Sequence, residues 1–382
     1  MPVQSEAGAK HASSAAELVS AKVDRVEVSA YTVPTDNPES DGTIEWDKTT
    51  IVIVEIASEG ERGLGYSYAD ASAAKLIRDH LAGVIKGRNP MEVAGAWHAM
   101  IASVRNIGRP GIASMAISAI DIALWDLKAR LLAIPLFSLL GPVRGEIPAY
   151  GSGGFTSYSI EQLQSQLGGW AASGMSMVKM KIGRNPDQDL ARVRAARQAI
   201  GDDVQLFVDA NGAYSRKQAL WFGERFQQFN VQWFEEPVSS DDLEGLHLLR
   251  DRAPAEMDIA AGEYGFDAFY FRRMLDAEAV DVLQADATRC GGVTGFLQAG
   301  NLCLARSMPF SAHTAPSVHA HLGCAVQQLR HVEYFHDHVR IEQMCFDGAI
   351  RAENGNLRPD SARPGLGLNL RRAEMKQYLA LG

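Results

Sequence analysis

The chain has 382 residues, 46% hydrophobic and 22% charged, with a formal net charge of −9. That is the composition of a globular protein with room for two domains, or for one large barrel with an addition. It carries no basic run or stripe, which excludes a nucleic-acid footprint, and no apolar run reaches the roughly 18 residues of a membrane span, so no membrane partner is expected.

The first twenty residues, "MPVQSEAGAKHASSAAELVS", lack the apolar core of a signal peptide and read as a flexible polar tail over 1–20. Residues 22–33, "KVDRVEVSAYTV", alternate apolar and polar side chains. Residues 49–58, "TTIVIVEIAS", are β-branched and apolar, and "EGERGLG" turns the chain into a third short strand around "GYSYA". The pattern predicts a small antiparallel meander. Between its first two strands, "YTVPTDNPESDGTIEWDK" (31–48) reads as a lid or a solvated loop. Helical periodicity follows over about 71–86, 90–104 and 111–132, the last apolar on most of its circumference and therefore expected in the core. "GPVRG" at 141–145 marks a boundary and closes a first domain over 21–145.

From 146 to 349 the pattern becomes strand, helix, strand, helix. The candidate strands are "IPAYGSG", "SMVKMKI", "VQLFVDA", "VQWFEEP", "MDIAAGE", "VDVLQAD", "MPFSAHT" and "HVEYF". Eight such repeats predict a parallel α/β barrel. An open doubly wound sheet is the rival, but no glycine-rich phosphate loop follows the first strand. The Gly/Pro-rich segment 350–382 is expected to return to the N-terminal domain. The four cysteines, Cys290, Cys303, Cys324 and Cys345, form no CxxC pair, which argues against structural zinc and for a reducing, cytoplasmic location.

Near the ends of the second to eighth barrel strands stand Lys181, Asp209, Glu235, Glu263, Asp286, His313 and Glu333, each separated from the next by roughly one βα unit. In a barrel those ends share one rim, where active sites form. A single acid at a strand end is usually a turn former or helix cap; seven groups in register cannot all be caps. Asp209, Glu235 and Glu263, converging, would raise one another's pKa unless a cation sat among them. Hard oxygen donors without His or Cys favour Mg²⁺, with Mn²⁺ tolerated. The alternative is a carboxylate–arginine network, although none of these three strand ends offers an arginine.

Lys179 and Lys181 share one face of a strand flanked by Val178, Met180 and Ile182. Mutual repulsion and burial are expected to favour proton loss, so that one lysine acts as a base near neutral pH; the plainer reading is two lysines snorkelling to solvent. Asp286 and His313, on neighbouring strands, read as a second acid/base in which the carboxylate fixes the imidazole tautomer. His319 and His321 read as packing or surface residues, while His336 and His338 stay open.

Taken together, "SAIDIALWDLKA", "VKMKIG", "VDANGAY", "WFEEP", "AAGE", "LQADATRCGGVTGF", "SAHTAP" and "PGLGLNL" resemble the enolase superfamily, and within it the mandelate racemase subgroup. The resemblance implies a modified TIM barrel of the (β/α)7β type under an N-terminal α+β capping domain. It implies Asp209, Glu235 and Glu263 as Mg²⁺ ligands and Lys181 as one α-proton base, with Lys179 beside it. His313 becomes the other acid/base, oriented by Asp286. Glu333 would bind the substrate carboxylate and stabilise the enediolate, and Asn211 and Glu236 would support the ligand set.

In this family the capping domain selects the substrate. The 31–48 stretch offers Tyr31, Asp36, Asn37, Glu39, Ser40, Asp41, Trp46 and Asp47, and a second stretch offers Tyr66 and Tyr68. Tyr31, Trp46, Tyr66 and Asn211 are the expected substrate contacts, unless the lid is only a solvated loop. Its polarity favours a polyhydroxy acid over an aromatic one. The expectation is dehydration of an acid sugar to a 2-keto-3-deoxy acid, with racemisation, epimerisation or lactone cycloisomerisation as alternatives and a catalytically silent metal-binding barrel as another. The expected partners are a small-molecule carboxylate and further copies of the chain in a homo-oligomer.

Overall fold

The computed structural model describes residues 14–382. Of the tail expected over 1–20, residues 1–13 lie outside the described residues. Beyond them, Ala15–Ser20 forms a short helix whose Glu17 N–H is accepted by the Ser14 side chain. Among the described residues no helix is long and apolar enough to cross a membrane.

Three antiparallel strands follow: β1 (Arg25–Ser40), β2 (Glu45–Ser58) and β3 (Glu61–Tyr68), joined at the β1 edge by a last strand, Leu379–Leu381. The apolar run of β2 is buried on both faces. Ile51 and Ile53 join the core that includes the barrel, while Val52, Val54 and Ile56 pack with the capping-domain helices, as period two requires.

The polar stretch expected as a loop over 31–48 is instead most of a long β-hairpin, in which Glu39 faces Trp46 and Ser40 faces Glu45. Only residues 41–44 turn. Asp41 Oδ1 accepts from the N–H groups of Thr43 (2.6 Å) and Ile44 (2.8 Å), the side-chain turn that Asp favours. The tip is pressed onto the barrel. Ser40 Oγ lies 2.6 Å from Thr156 Oγ1, and the Thr156 N–H donates to the Ser40 carbonyl at 2.9 Å. A Cβ at Gly42 would lie 2.3 Å from the Ala210 carbonyl oxygen and 2.8 Å from that of Ile182. Gly42→Ala should therefore cost about 1–3 kcal/mol of stability and lower activity by lifting the hairpin, as thermal denaturation and turnover would show.

The helix Ile112–Leu131 is buried over most of its surface and ties the two halves together through polar groups. Asp126 accepts from the N–H groups of Leu64 (2.7 Å) and Leu366 (2.5 Å). Asp121 accepts from Thr294 N (2.9 Å), and Ser118 Oγ from Gly291 N (2.8 Å). Burying these oxygens is tolerable because backbone donors meet them.

Eight parallel strands close the barrel: β4 (Ile147–Gly153), β5 (Met177–Lys181), β6 (Gln205–Asp209), β7 (Val231–Glu235), β8 (Asp258–Ala261), β9 (Val282–Ala285), β10 (Phe310–Ala312) and β11 (Leu329–Phe335). They run in chain order, and β11 pairs back onto β4. Helices cross over between successive strands, and a further helix, His336–Cys345, follows β11. This is the modified TIM barrel with its N-terminal cap.

Alternation sorts each strand into helix-facing and barrel-facing residues. Val178 and Met180 join the main core, whereas Met177 joins a separate cluster with Tyr150, Phe207, Trp233, Ala260 and Val282. Phe207 stacks on Trp233 with centroids 5.3 Å apart. Above this aromatic floor the same faces turn polar. In register, Lys181 pairs with Asp209 and Asp209 with Glu235.

Candidate active site

The rim groups expected from the sequence do meet. Asp209, Glu235 and Glu263 are buried and place carboxylate oxygens within 4.8 Å of one another. They come from the ends of β6, β7 and β8. The closed strand order sets Lys179 and Lys181 (β5) on one flank of the trio, and Asp286 (after β9) and His313 (after β10) on the other.

Both lysines are clamped by carboxylates. Lys179 is fully buried and holds Glu235 Oε1 at 2.6 Å, Glu333 Oε1 at 2.8 Å and Asp209 Oδ2 at 3.2 Å. Lys181 donates to Asp209 Oδ2 at 2.5 Å. The expectation that burial and mutual repulsion would lower a lysine pKa is corrected here. Burial does pull both down, but Glu235 and Glu333 around Lys179, and Asp209 beside Lys181, raise them above the ordinary value. The ammonium groups also act on the acids. Burial pushes Asp209 up, yet Lys181 and Lys179 bring it below its usual range. Glu235 stays well above its usual range, through burial and the Asp209 charge.

On the other flank, His313 Nδ1 lies 2.9 Å from Asp286 Oδ2, and its Nε2 lies 3.3 Å from Glu263 Oε2. Asp286 Oδ1 accepts from Thr288 N and Thr288 Oγ1, both at 2.7 Å. Burial raises Asp286, but the His313 hydrogen bond and charge outweigh it and hold the group ionised, below its usual range. An ionised Asp286 accepts a hydrogen bond from Nδ1–H and leaves Nε2 to work.

A cavity of about 550 Å³ opens between the hairpin, the start of the helix Ile112–Leu131 and the barrel rim. Lys181, Glu263, Asn211 and His313 line it, as do Trp46 and Tyr68 from the cap. Asp209, Glu235, Lys179 and Glu333 do not, and are buried. Glu333 Oε1 accepts from Ser152 Oγ at 2.6 Å. Burial raises Glu333, while Lys179, His313 and Lys181 hold it ionised, below its usual range.

Two expected substrate contacts lie elsewhere. Tyr31 is buried in the core. Tyr66 is fully buried and donates its hydroxyl to Glu342 Oε1 at 2.5 Å; Tyr68, two residues on along the same face, is the one that reaches the cavity. Asn211 adopts φ 45° and gives its N–H to Asp209 Oδ1 at 2.9 Å. Glu236 is buried with Oε1 unpartnered.

Of the open histidines, His338 lines the cavity and stacks on Tyr68 at 3.4 Å, whereas His336 Nε2 meets Asp36 at 2.9 Å. His319 is a buried packing residue that accepts the Ala287 N–H, and His321 is buried as well.

Sequence reasoning missed Arg289, whose Nη1 sits 3.3 Å from Glu263 Oε1. The arginine sought at the strand ends stands three residues beyond one, in "DATR". It also missed Lys48, which ends the lid stretch and lines the cavity.

The carboxylate trio fits a hard divalent cation. All donors are oxygens, and Glu263 Oε2 is buried and makes no hydrogen bond, with only His313 Nε2 facing it at 3.3 Å.

Comparison with known proteins agrees with this geometry. The N-terminal domain profile of mandelate racemase / muconate lactonizing enzyme matches residues 25–141, and the enolase C-terminal domain-like profile matches 162–374. L-talarate/galactarate dehydratase from Salmonella typhimurium is 31% identical over 91% of this chain and 89% of its own. A mandelate racemase/muconate lactonizing enzyme-like protein from Rubrobacter xylanophilus superposes with a TM-score of 0.92 at 55% identity, covering 94% of this chain and all of its own. L-talarate dehydratase from Polaromonas sp. JS666, complexed with Mg and L-glucarate, gives 0.85 at 31% identity over 94% and 98%. A closed barrel with this rim under this cap, matched along both halves, places the chain in the mandelate racemase subgroup of the enolase superfamily.

Proposed function

We propose that the protein removes the proton α to the carboxylate of a sugar acid and expels the β-hydroxyl as water, giving a 2-keto-3-deoxy acid. The observation that carries this reading is the placement of two acid/base groups, Lys181 and His313, which face one cavity from either flank of three convergent carboxylates. Asp209, Glu235 and Glu263 would hold Mg²⁺, or Mn²⁺ in its place. When bound, the ion supplies positive charge to a substrate carboxylate that gains charge as its α-proton leaves.

The chain's own residues do the rest. Lys181 stands at the cavity surface to take the α-proton in its neutral form, which the neighbouring Asp209 charge disfavours. Lys179, held by Glu235, Glu333 and Asp209, is a buried counter-ion and not a second base. His313, with Nδ1 tied to Asp286, presents Nε2 to deliver a proton to the departing hydroxyl. Four unpaired buried thiols suit a reducing, cytoplasmic setting.

The test is a screen of mono- and diacid sugars with Mg²⁺ in D₂O, reading 2-keto product with semicarbazide and deuterium at the α-carbon. Keto product confirms dehydration; exchange without it means epimerisation, and neither across a broad panel overturns the reading. Asp286→Asn should lower turnover about 100- to 10,000-fold, because an amide no longer enforces the Nδ1–H tautomer. Mg²⁺ binding, measured by calorimetry, should stay unchanged.

A further inference from the structure

The cavity's charged side chains are almost all spoken for. Lys181 is paired with Asp209, Arg289 with Glu263 and His313 with Asp286. Of the acids on the capping side, Asp41 Oδ1 is filled by the N–H groups of Thr43 and Ile44, and Asp70 Oδ1 by that of Ser72. His338 is held well below its usual value, by burial and the neighbouring His313 charge, and is neutral. Lys48 is the exception: it lines the cavity, and its ammonium group has neither ion pair nor hydrogen bond among the described residues.

Its position is fixed by the strand that carries it. Trp46, Lys48, Thr49 and Thr50 of β2 all line the cavity. The residues on either side are anchored. The Trp46 indole N–H donates to Glu39 Oε2 at 2.8 Å, and Thr50 Oγ1 lies 2.9 Å from Thr32 Oγ1. The Lys48 backbone is held opposite Pro34 in the hairpin ladder. A free ammonium thus hangs from a fixed backbone on the capping wall, whereas the groups that handle the α-carbon lie on the barrel rim.

We propose that Lys48 is the recognition point for a second carboxylate at the far end of the substrate, so that the preferred substrates are dicarboxylic sugar acids (aldarates). This rests on the reading of the site as one for sugar acids, and it selects within that class. A lone cation in a wall of satisfied acids and hydroxyls gains a charge-assisted hydrogen bond from a terminal carboxylate and much less from a terminal hydroxymethyl group.

The experiment compares hexarates with the hexonates of the same configuration on the Mg²⁺-loaded enzyme. The hexarate-to-hexonate ratio of kcat/KM should fall about tenfold or more in Lys48→Met, chiefly through KM, and should survive in Lys48→Arg. Asp47→Asn, a neighbour that does not line the cavity, should leave the ratio where it was. A ratio unchanged in Lys48→Met, or changed equally by Asp47→Asn, overturns the proposal. Calorimetric binding of the same acids to the Mg²⁺-loaded protein separates this from the reaction assignment. Tighter hexarate binding lost in Lys48→Met upholds the site even if nothing turns over, and equal binding of hexarate and hexonate overturns it.

Discussion

Lys181→Ala should reduce turnover by about 1,000-fold, within the range for loss of a positioned general base, and abolish α-deuterium exchange from one face of the substrate only. Exchange of the epimer served by His313 should persist, because Asp286 and His313 are tied to each other and to Thr288, not to Lys181. The same variant carries an opposite expectation for the metal. Lys181 occupies Asp209 Oδ2 at 2.5 Å, so a cation at the carboxylate trio must share that oxygen with an ammonium group. Removing the ammonium should raise Mg²⁺ affinity while activity collapses. A parallel fall in affinity would show that Lys181 supports the carboxylates instead of competing for them, and survival of exchange on both faces would remove it as a base.

Glu235→Gln should act through the metal. The side chain is fully buried, with Oε1 on Lys179 at 2.6 Å and Oε2 accepting from Trp233 Nε1 at 2.9 Å. The amide keeps the shape but cannot offer a cation a carboxylate charge, so the Mg²⁺ concentration for half-maximal activity should rise by about 10- to 100-fold or more, since even outer partners of a metal site are worth that much. It also strips Lys179 of one of its three carboxylates, leaving Asp209 and Glu333. An unchanged metal titration would exclude Glu235 from the ligand set.

The barrel was legible because its strands are bounded by turns and end in chemistry. All eight stand where the apolar runs were read, and the groups at their ends meet at one rim. The hairpin was not, because Pro34, Asp36, Asn37 and Pro38 are poor strand formers. What extends them is tertiary: Ser40 against Thr156, and a tip glycine wedged beneath two barrel carbonyls.

The lysine pair was located correctly and its electrostatics inverted. Two adjacent cations in a sequence look like mutual repulsion; the carboxylates one and two strands away, 2.5–3.2 Å from the ammonium groups, belong to distant parts of the chain. Tyr66 was misplaced for a related reason. Its pairing with Glu342 spans most of the protein, and nothing local distinguishes it from Tyr68.

The ribbon that carries Trp46, Lys48, Thr49 and Thr50 is held in one register by its pairing with β1 and β3. Sliding β2 by one position would exchange the faces of all four side chains, so single-residue insertions here should be far more damaging than substitutions. On the proposed reading, exchanges at these positions, by contrast, can re-tune which acid is accepted while the proton-handling groups, rooted in other strands, stay untouched. On that reading selectivity and reactivity are written on separate parts of the chain, and the first can drift without the second.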